Sequence, residues 1–590
     1  MIGEDLRARV TAWIADDPDE RDRAELTALL AAATAADSDE DADVDAAQAA
    51  EDLADRFAGR LQFGTAGLRG KVGAGPNRMN RAVVRGTTAS LAGWLRYVNP
   101  AATEAGVVIG CDARHRSDEF ALEAARVLAG AGIAVHLLPP RQPTPLLAFA
   151  VRHLRAAAGV MITASHNPPA DNGYKLYLAD GAQIVPPADL EIEAAIRALG
   201  PLAEIPVAAE DDPLIARHDD QIARAYLDTI CAGAQAPRGA AWLRIIYTPL
   251  HGVAGELALR AFEQAGFPPP DVVEAQAEPD PDFRTVAFPN PEEPGTLDLA
   301  IAQARRSGAD LVIANDPDGD RLAVAVPDDS ATGGWRMLTG DQVGALLGAY
   351  VLGQAGAGQA GGAGPAGGAG PGAAEPRRPL VATTIVSSTM LARIATEAGA
   401  AYAETLTGFK WIARAGDLRP ECRFVYGYEE ALGYAVGTAV RDKDGISAAL
   451  AVLGLAALAR SGGESLLEAY DALEAAHGVH LTGQITVPTT VPVDVMSRLR
   501  VTAPTELAGQ PVLSVSDLTG GTADLPSADV LRYTLPGARV VIRPSGTEPK
   551  IKAYLEVVEP VIAGRLDEAR HAARARMDPL REAVRDLLAS

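Results

Sequence analysis

The chain has 590 residues, of which 77 are acidic and 53 are basic, and its formal net charge is −24. A chain of this length exceeds a single hydrophobic core, so we expect roughly three to five domains. The acidic surface repels nucleic acid and anionic membranes, so we expect neither as a partner, and a phosphate ligand would need a local basic pocket.

The cysteines and the apolar segments indicate a protein of the reducing cytoplasm. Cys111, Cys231 and Cys422 are far apart and odd in number, so neither a disulfide framework nor a metal-binding spacing is expected. The first residues lack the basic and apolar regions of a signal peptide. The apolar run at 446–459 is too short to span a bilayer and predicts a buried helix.

The chain begins with a predicted helical region. Residues 4–34 have the pattern of two amphipathic helices separated near Asp17 and Pro18. Residues 35–55 are mostly alanine and acidic residues, which predicts a solvated helix or a mobile insertion without a functional role.

Further along, apolar β-branched runs alternate with alanine-rich helical runs. Predicted strands lie within 105–114, 243–252, 309–316 and 378–388, and each is adjacent to a helical pattern. This alternation predicts α/β layers with mostly parallel sheets, in which the loops beyond the carboxyl ends of the strands carry the chemistry. Alternating strands followed by a helix near 562–588 predict a final α+β domain.

We place the domain boundaries near residues 235, 335 and 478. The predicted domains are 1–235, 236–335, 336–478 and 479–590.

A low-complexity run of glycine, alanine and proline occupies residues 353–374 of the third predicted domain. It contains a literal GxGxxG from Gly356 to Gly361, but a dinucleotide-binding fingerprint requires a strand before it and a helix after it. Here a helical pattern precedes the glycines and more low-complexity sequence follows. We therefore predict a flexible surface insertion.

The first string that indicates chemistry is TASHNP (163–168). Ser165 lacks the flanking glycines of a hydrolase elbow, and His166, as its sequence neighbour, is badly placed for a conventional triad. Alone, the string favours a polar loop whose side chains satisfy the local backbone. Lys175 follows ten residues later, and a turn at Asn172 and Gly173 would bring its ammonium back towards the serine. There it could transfer a proton or pair with phosphate oxygens.

The second string is DPDGDR (316–321), which follows an apolar strand. In extended backbone its three aspartates face the same way and repel one another unless a cation lies among them. Oxygen ligands suit Mg²⁺ or Ca²⁺, and Arg321 and Pro327 stand where an EF-hand needs glycine and glutamate. An acidic turn without a metal is the alternative.

The third string is RPSGTEPK (543–550), between two predicted strands. An arginine, two hydroxyls, a glycine and a lysine suggest a site that binds the oxygens of an anion. An ordinary hairpin loop is the alternative.

Together, these strings resemble the α-D-phosphohexomutases, the phosphoglucomutase/phosphomannomutase family. TASHNP, with its lysine ten residues after the serine, resembles the family's phosphoserine loop. DPDGDR resembles its Mg²⁺ loop and RPSGTEP its phosphate-binding loop. The strings FGTAGLRG (63–70), GYEEALG (427–433) and RDKDG (441–445) also match, so the resemblance runs from about residue 50 to 585.

The resemblance implies a fold and a mechanism. The fold would be three successive α/β mixed-sheet domains plus a C-terminal α+β domain around a central active-site cleft. The serine would be carried as phosphoserine with Mg²⁺. A sugar 1,6-bisphosphate would form, turn over and return its other phosphate to the serine.

The resemblance also implies roles for individual residues. Ser165 would carry the phosphoryl group, with Lys175 as general acid or base and His166 and Arg69 near the transferring phosphate. The implied metal ligands are Ser165, Asp316, Asp318 and Asp320. The implied sugar-binding residues are Arg321, Gly408, Lys410, Glu429, Glu430 and Lys443. The residues implied to bind the non-reacting phosphate are Arg543, Ser545, Gly546 and Thr547.

The preferred sugar stays open at this point. Ala431 replaces the serine of the family's GEES loop, and TLTGFKWIA (405–413) and DPDFRTVAFPNPEE (280–293) resemble a bacterial branch that is also similar to animal phosphopentomutases. We expect a hexose phosphate, glucose before mannose, with a pentose phosphate as the alternative. A Mg²⁺-dependent sugar phosphatase or a non-catalytic sugar-phosphate-binding protein is a lower alternative. The expected state is a monomer or homodimer.

Overall fold

The computed structural model describes residues 2–34, 40–64, 67–237, 239–360, 377–489, 491–545 and 550–589. The chain divides into two compact units. Unit 1 comprises Met1–Gly233, Arg244–Leu322 and Ala439–Ile446, and unit 2 comprises Ala234–Leu243, Ala323–Thr438 and Ser447–Ser590.

Unit 1 opens with three helices, α1 (Glu4–Asp16), α2 (Glu20–Thr34) and α3 (Glu40–Arg56). The predicted break is confirmed, and the Asp17 carboxylate accepts the N–H of Asp19 at 2.9 Å between the helices. Leu53 is fully buried in a cluster with Leu26. The segment predicted as solvated is therefore a helix with one buried face, apart from residues 35–39, which lie outside the described residues.

A six-stranded sheet follows, with strand order β1-β5-β4-β2-β3-β6. Its strands are β1 (Leu68–Lys71), β2 (Val107–Cys111), β3 (Val135–Leu137), β4 (Ala158–Ile162), β5 (Asp171–Leu178) and β6 (Ile215–Arg217). Its helices are α4 (Arg81–Val98), α5 (Ala102–Ala105), α6 (Ser117–Gly130), α7 (Thr144–His153), α8 (Ala188–Arg197) and α9 (Gln221–Cys231), with a 3₁₀ turn at Leu202–Glu204. Strands β4, β2, β3 and β6 are parallel. Every residue of β2 and β4 is buried, as expected for parallel strands covered on both faces.

The rest of unit 1 contains a second group of parallel strands. They are β7 (Ile245–Thr248), β8 (Asp271–Val272) and β9 (Leu311–Asn315), with β7 between the other two. Two helices, α10 (Gly255–Ala265) and α11 (Asp298–Ser307), and a 3₁₀ turn at Glu274–Gln276 connect them.

Unit 2 contains a mixed sheet with strand order β13-β12-β14-β15. The elements up to this sheet's end are β10 (Leu322–Pro327), β11 (Trp335–Met337), α12 (Gly340–Ala360), β12 (Arg378–Thr384), α13 (Met390–Glu397), β13 (Ala401–Thr405), α14 (Phe409–Ile412), β14 (Cys422–Glu429) and β15 (Gly433–Val436), preceded by a 3₁₀ turn at Ala240–Trp242. Two helices follow, α15 (Gly445–Gly462) and α16 (Leu466–His477). Strand β12 pairs in parallel with β13 and β14, whereas β15 closes the sheet as an antiparallel hairpin.

The last part of unit 2 is an antiparallel sheet with order β16-β22-β21-β20-β19 and helices packed against it. Its elements are β16 (Val479–Pro488), α17 (Pro492–Val501), β17 (Glu506–Leu507), β18 (Gln510–Pro511), β19 (Ser514–Asp517), a 3₁₀ turn at Leu518–Gly520, β20 (Leu531–Leu535), β21 (Ala538–Pro544), β22 (Lys550–Glu559) and α18 (Leu566–Ala589). The predicted fold class, α/β domains followed by an α+β domain, is confirmed. The exact boundaries near 235, 335 and 478 stay predictions.

Two predictions about helices have different outcomes. Helix α15 contains the apolar run 446–459. By length and composition the helix could cross a membrane, but 72% of it is buried inside the protein. It is therefore a buried helix, as predicted. Helix α12 continues to Ala360, so the flexible insertion predicted from residue 353 is wrong for residues 353–360. The helix can continue there because the first proline of the run is Pro365, and residues 361–374 lie outside the described residues.

Candidate active site

In unit 1, the chemistry-bearing loops follow the carboxyl ends of β2, β4 and β9. After β4, residues 163–170 reverse the chain, which returns as β5 with Lys175 opposite Met161. The turn predicted at Asn172 and Gly173 is wrong, because both residues lie within β5. Gly173 instead permits a close approach of strands, since a Cβ there would lie 2.5 Å from the carbonyl oxygen of Thr163.

Ser165 is the buried centre of this loop. Its backbone is left-handed, with φ of 54°, and its N–H donates to Thr163 Oγ1 at 2.9 Å. Its hydroxyl donates to Asp316 Oδ2 at 2.8 Å and lies 3.2 Å from His166 Nδ1. Burial, followed by the cations Arg321 and Arg69, holds the pKa of His166 well below its usual value. The serine therefore lies beside a carboxylate and a neutral imidazole.

The three aspartates after β9 converge as the spacing predicts, but through a turn rather than an extended strand. One oxygen from each of Asp316, Asp318 and Asp320 lies within 4.8 Å of the others, and all three residues are buried. Gly319 has φ of 73°, which folds the loop. The prediction that the three aspartates lie close together is therefore confirmed, whereas the prediction that an extended backbone brings them together is wrong.

Two lysines contact the aspartate cluster. Lys175 Nζ lies 2.6 Å from Asp318 Oδ2 and 3.0 Å from Asp320 Oδ2, and Lys443 Nζ lies 3.2 Å from Asp320 Oδ2. Burial alone would lower the pKa of Lys175, but the carboxylates of Asp318 and Asp320 outweigh burial and raise it. Lys175 therefore meets the serine loop (residues 163–170) at one aspartate cluster, in which Ser165 contacts Asp316 and Lys175 contacts the other two aspartates.

The cluster has the chemistry of a divalent-cation site. Burial, followed by the charges of Asp318 and Asp320, raises the pKa of Asp316 well above its usual value. Within the part of the chain that the structure describes, the Oδ1 atoms of Asp318 and Asp320 are buried without a hydrogen-bond partner. A cation among these oxygens would satisfy both atoms and offset the repulsion, and carboxylate-only donors suit Mg²⁺ or Ca²⁺.

Arginines border the cluster. Arg69, in β1, donates from Nη1 to Asn167 Oδ1 at 3.3 Å, and its Nε is buried and has no partner in the described ranges. Burial lowers the pKa of Arg69. Arg321, directly after the aspartates, forms an ion pair with Glu292 at 3.4 Å. These guanidinium groups supply the local positive charge that an anionic ligand of this acidic protein requires.

The RDKDG string belongs to unit 1, although it falls in the third predicted domain. Asp442 Oδ2 accepts hydrogen bonds from the Tyr177 hydroxyl at 2.7 Å and from Gln183 Nε2 at 2.9 Å. Asp444 Oδ1 accepts the hydroxyl of Tyr226 at 2.9 Å. These buried contacts on both sides hold Lys443 against Asp320.

Sequence reasoning missed two residues that shape this site. Arg114, two residues after Asp112 at the end of β2, donates to the backbone of the serine loop. Thr144, at the start of α7, donates from Oγ1 to Asp318 Oδ2 at 2.6 Å. The only available signal was that CDAR follows a buried strand; no spacing in the sequence indicates either partner.

In unit 2, the predicted sugar-binding residues lie on two turns. Glu429 ends β14, and Glu430 follows it in the hairpin turn, where its Oε2 accepts hydrogen bonds from Thr384 at 3.2 Å and Ser387 at 3.0 Å. Burial, followed by the neighbouring Glu429, raises the pKa of Glu430 to about 7. Gly408, with φ of 110°, precedes α14, which contains Lys410.

The predicted phosphate-binding residues follow β21. Arg543 donates from Nη1 to Pro544 O at 2.9 Å, and its Nε is buried without a partner among the described residues. The N–H of Ser545 donates to Lys550 O at 2.8 Å. Gly546 and Thr547 lie outside the described residues.

Four family models match the chain in order. They are described as phosphoglucomutase/phosphomannomutase α/β/α domain I (residues 60–201), domain II (224–331), domain III (339–476) and the C-terminal domain (496–573). The matches therefore cover most of the chain.

Two relatives and one solved structure are similar over most of their length. "Probable phosphomannomutase" of Haemophilus influenzae is 41% identical over 488 residues, covering 81% of this chain and 93% of that protein. "Probable phosphoribomutase" of Schizosaccharomyces pombe is 35% identical over 589 residues, covering 93% of each. The structure of a phosphoglucomutase/phosphomannomutase family protein from Burkholderia thailandensis has a TM-score of 0.65 at 20% identity. It covers 88% of this chain and 96% of that chain, and this likeness shows the fold alone.

Proposed function

Because the chain belongs to the phosphoglucomutase/phosphomannomutase family, whose members are phosphomutases of the isomerase class, we propose that it interconverts a hexose 1-phosphate and a hexose 6-phosphate. Glucose is the proposed sugar and mannose the second hexose. The observation that carries the proposal is the Ser165 hydroxyl 2.8 Å from Asp316, in a cluster that also holds the Lys175 ammonium.

The proposed reaction transfers the phosphoryl group of phosphorylated Ser165 to the free hydroxyl of the sugar phosphate. The bond from phosphorus to Ser165 Oγ breaks, and a bond from phosphorus to the sugar oxygen forms. The sugar hydroxyl loses its proton, and Oγ gains one. The resulting 1,6-bisphosphate turns over and returns its other phosphoryl group to the serine. Serine therefore acts as a covalent carrier, and phosphate is not released.

This chain's residues have distinct tasks in that transfer. Lys175, whose raised pKa keeps it protonated, donates a proton to Ser165 Oγ and accepts one from the sugar hydroxyl. The neutral ring of His166 and the guanidinium of Arg69 orient the phosphoryl group. Mg²⁺, held by Ser165, Asp316, Asp318 and Asp320, would supply charge neutralisation to the phosphoryl oxygens.

The proposed binding residues are divided between sugar and phosphate. The sugar is bound by Arg321, Gly408, Lys410, Glu429, Glu430 and Lys443. The non-reacting phosphate is bound by Arg543, Ser545, Gly546 and Thr547.

We also propose that the enzyme works in the cytoplasm as a monomer or homodimer, without nucleic acid or membrane as a partner. Its three cysteines are buried free thiols, which suits a reducing compartment. We further propose that residues 361–374 are dispensable for activity.

A pentose phosphate is the second candidate substrate. Two observations favour it: the relative named "Probable phosphoribomutase" covers 93% of the chain, and Ala431 removes a hydroxyl from the sugar-binding turn. Kinetics on glucose, mannose and ribose 1-phosphates distinguish the candidates, because the preferred sugar has the highest kcat/KM.

The mutase chemistry is tested with glucose 1-phosphate, Mg²⁺ and a catalytic amount of glucose 1,6-bisphosphate. We expect glucose 6-phosphate without inorganic phosphate, and loss of turnover by at least about 10³-fold in Ser165→Ala, because the carrier oxygen is absent. Net phosphate release would indicate a phosphatase instead. Retained turnover in Ser165→Ala would exclude the serine carrier, and inertness of the wild type with retained sugar phosphate binding would indicate a binding protein.

A further inference from the structure

Arg114 lies beneath the serine loop with its guanidinium surrounded by carbonyl oxygens. Its Nη2 donates to Ser165 O and Asn167 O at 2.6 Å each. Its Nη1 donates to Pro168 O at 2.8 Å and Asp171 O at 3.0 Å. One side chain, 4% exposed, therefore binds the backbone of the whole segment between β4 and β5.

The loop needs this support because it is irregular. Ser165, Asn167 and Pro168 lie between β4 and β5 rather than in the sheet, and Ser165 has the left-handed φ of 54°, which is unfavourable for a residue with a side chain. The planar fork of arginine presents five N–H donors in fixed directions, which is enough for four acceptors, whereas the ammonium of a lysine has only three donors, all on one nitrogen. The guanidinium thus holds the carbonyls in the arrangement that points Ser165 Oγ towards Asp316.

Arg114 is itself held in place from two sides. Asp112 Oδ1 accepts the N–H of Arg114 at 2.9 Å, and Asp112 Oδ2 lies 3.5 Å from Arg114 Nε. The ring of Phe283, which is 2% exposed, lies over the guanidinium with its centroid 4.9 Å from Cζ. This cover excludes water that would otherwise compete for the same donors.

We propose that Arg114 is a positioning residue that sets the geometry of Ser165 for phosphoryl transfer, and that Phe283 preserves that geometry by covering the guanidinium. Arg114 acts through the backbone of the serine loop. The effect on transfer rests on the proposed function, whereas the effect on the loop does not.

The test compares Arg114→Lys with Arg85→Lys. Arg85 is a control in the same unit because it is also largely buried and pairs with Glu123 at 2.6 Å. For Arg114→Lys we expect kcat to fall about 100-fold, because a small misplacement of a reacting group has an effect of that size, while KM changes less than about threefold. Phosphate incorporation into Ser165 from glucose 1,6-bisphosphate should slow in parallel. Hydrogen exchange in peptides covering 163–171 should accelerate in Arg114→Lys and not in Arg85→Lys.

Two further variants separate positioning from general stability. Guanidinium chloride at millimolar concentration should restore part of the kcat of Arg114→Ala, and Phe283→Leu should lower kcat less than Arg114→Lys does. Unchanged exchange in 163–171, or a fall in melting temperature with kcat preserved, would overturn the proposal. If the exchange accelerates as expected but even the wild type takes up no phosphate, the mutase function fails and the role of Arg114 in the loop stands.

Discussion

At the scale of single residues, the environment of Ser165 explains why a serine next to a histidine is not a hydrolase nucleophile. Its hydroxyl donates to Asp316, and the neighbouring His166 is a neutral, buried ring 3.2 Å away. A triad histidine needs a carboxylate partner that orients it and stabilises its cation. Here burial, followed by the charges of Arg321 and Arg69, lowers the pKa of the ring and keeps it neutral. The buried aspartate cluster beside the serine fits a divalent cation instead.

Asp318 gives the first prediction at this scale. Its Oδ1 is buried and finds no partner among the residues that the structure describes, while its Oδ2 binds Lys175 and Thr144. Asp318→Asn removes the charge that a cation at Oδ1 needs. We expect Mg²⁺ affinity to fall at least about 10-fold. Changing a residue that only hydrogen-bonds to a metal ligand typically has an effect of that size, and a direct ligand should have at least as large an effect. Titration calorimetry measures it, with Asp282→Asn, a half-exposed carboxylate, as the control. Equal affinity in both variants would contradict the metal site.

Glu430 predicts a dependence of substrate binding on pH. Its pKa is raised to about 7, so it is protonated below that pH and ionised above it. A carboxylate accepts stronger hydrogen bonds from sugar hydroxyls than a carboxylic acid does. We expect KM to increase as the pH falls through about 7, and Glu430→Gln to remove this change. Steady-state kinetics across pH test it, with the exposed Glu421→Gln as the control, which should keep the wild-type profile. An identical profile in Glu430→Gln would exclude Glu430 as its source.

At the scale of elements, the segment 439–446 shows how a site residue is positioned by partners far away in sequence. The segment leaves the third predicted domain and belongs to unit 1. Tyr177, at the end of β5, and Tyr226, in α9, donate to its two aspartates. Because buried carboxylates are costly without donors, these tyrosines fix where the segment lies and therefore where Lys443 lies.

Removing one of those hydroxyls should weaken substrate binding more than turnover. Asp442 Oδ2 accepts hydrogen bonds from Tyr177 and Gln183, and Tyr177→Phe removes the first of these and leaves the second. Since a hydrogen bond to a charged group contributes about 1.5–3 kcal/mol and Gln183 compensates in part, we expect KM to rise about fivefold to tenfold. Tyr533→Phe is the matched control, because that buried hydroxyl has no hydrogen-bond partner in the described part of the chain. If Lys443 does not bind substrate, both variants will have the wild-type KM.

At the scale of the whole molecule, the fold class and the three chemical strings could be predicted because they depend on local patterns. Strand–helix alternation and the DPDGDR spacing are visible over a few residues. The role of Arg114 could not be predicted, because its acceptors lie 51 to 57 residues away. The placement of Asn172 and Gly173 also failed, because their pairing with β1, a strand about one hundred residues earlier in the chain, overrides a local turn preference.

Within unit 2, one buried ionic network connects the final sheet to the loop after β12. Glu556 Oε2 accepts from Arg539 Nε at 2.7 Å, and Glu556 Oε1 accepts from Ser388 Oγ at 3.0 Å. Arg539 also donates to Ile385 O at 3.0 Å. Burial alone would raise the pKa of Glu556, but Arg539, followed by His480, lowers it from 4.5 to about 2. The network therefore stabilises the ionised carboxylate.

Arg539→Met should destabilise unit 2 and change how its stability responds to acid. Removing one partner of a buried pair leaves the other charge uncompensated, so we expect a loss of about 3–5 kcal/mol. Because its folded pKa is depressed, Glu556 contributes stability that is present above its unfolded pKa of 4.5 and is lost as the pH falls towards about 2. That part of the acid-induced loss should be smaller in Arg539→Met.

Differential scanning calorimetry over a pH series measures both effects. The control is Arg565→Met, because Arg565 and Glu568 form an exposed pair, which contributes at most about 1 kcal/mol. Since a chain with two units need not unfold in a single step, the shift should occur in the transition assigned to unit 2 by limited proteolysis. Arg539→Met unfolding at the wild-type temperature at neutral pH would show that the network does not stabilise the unit.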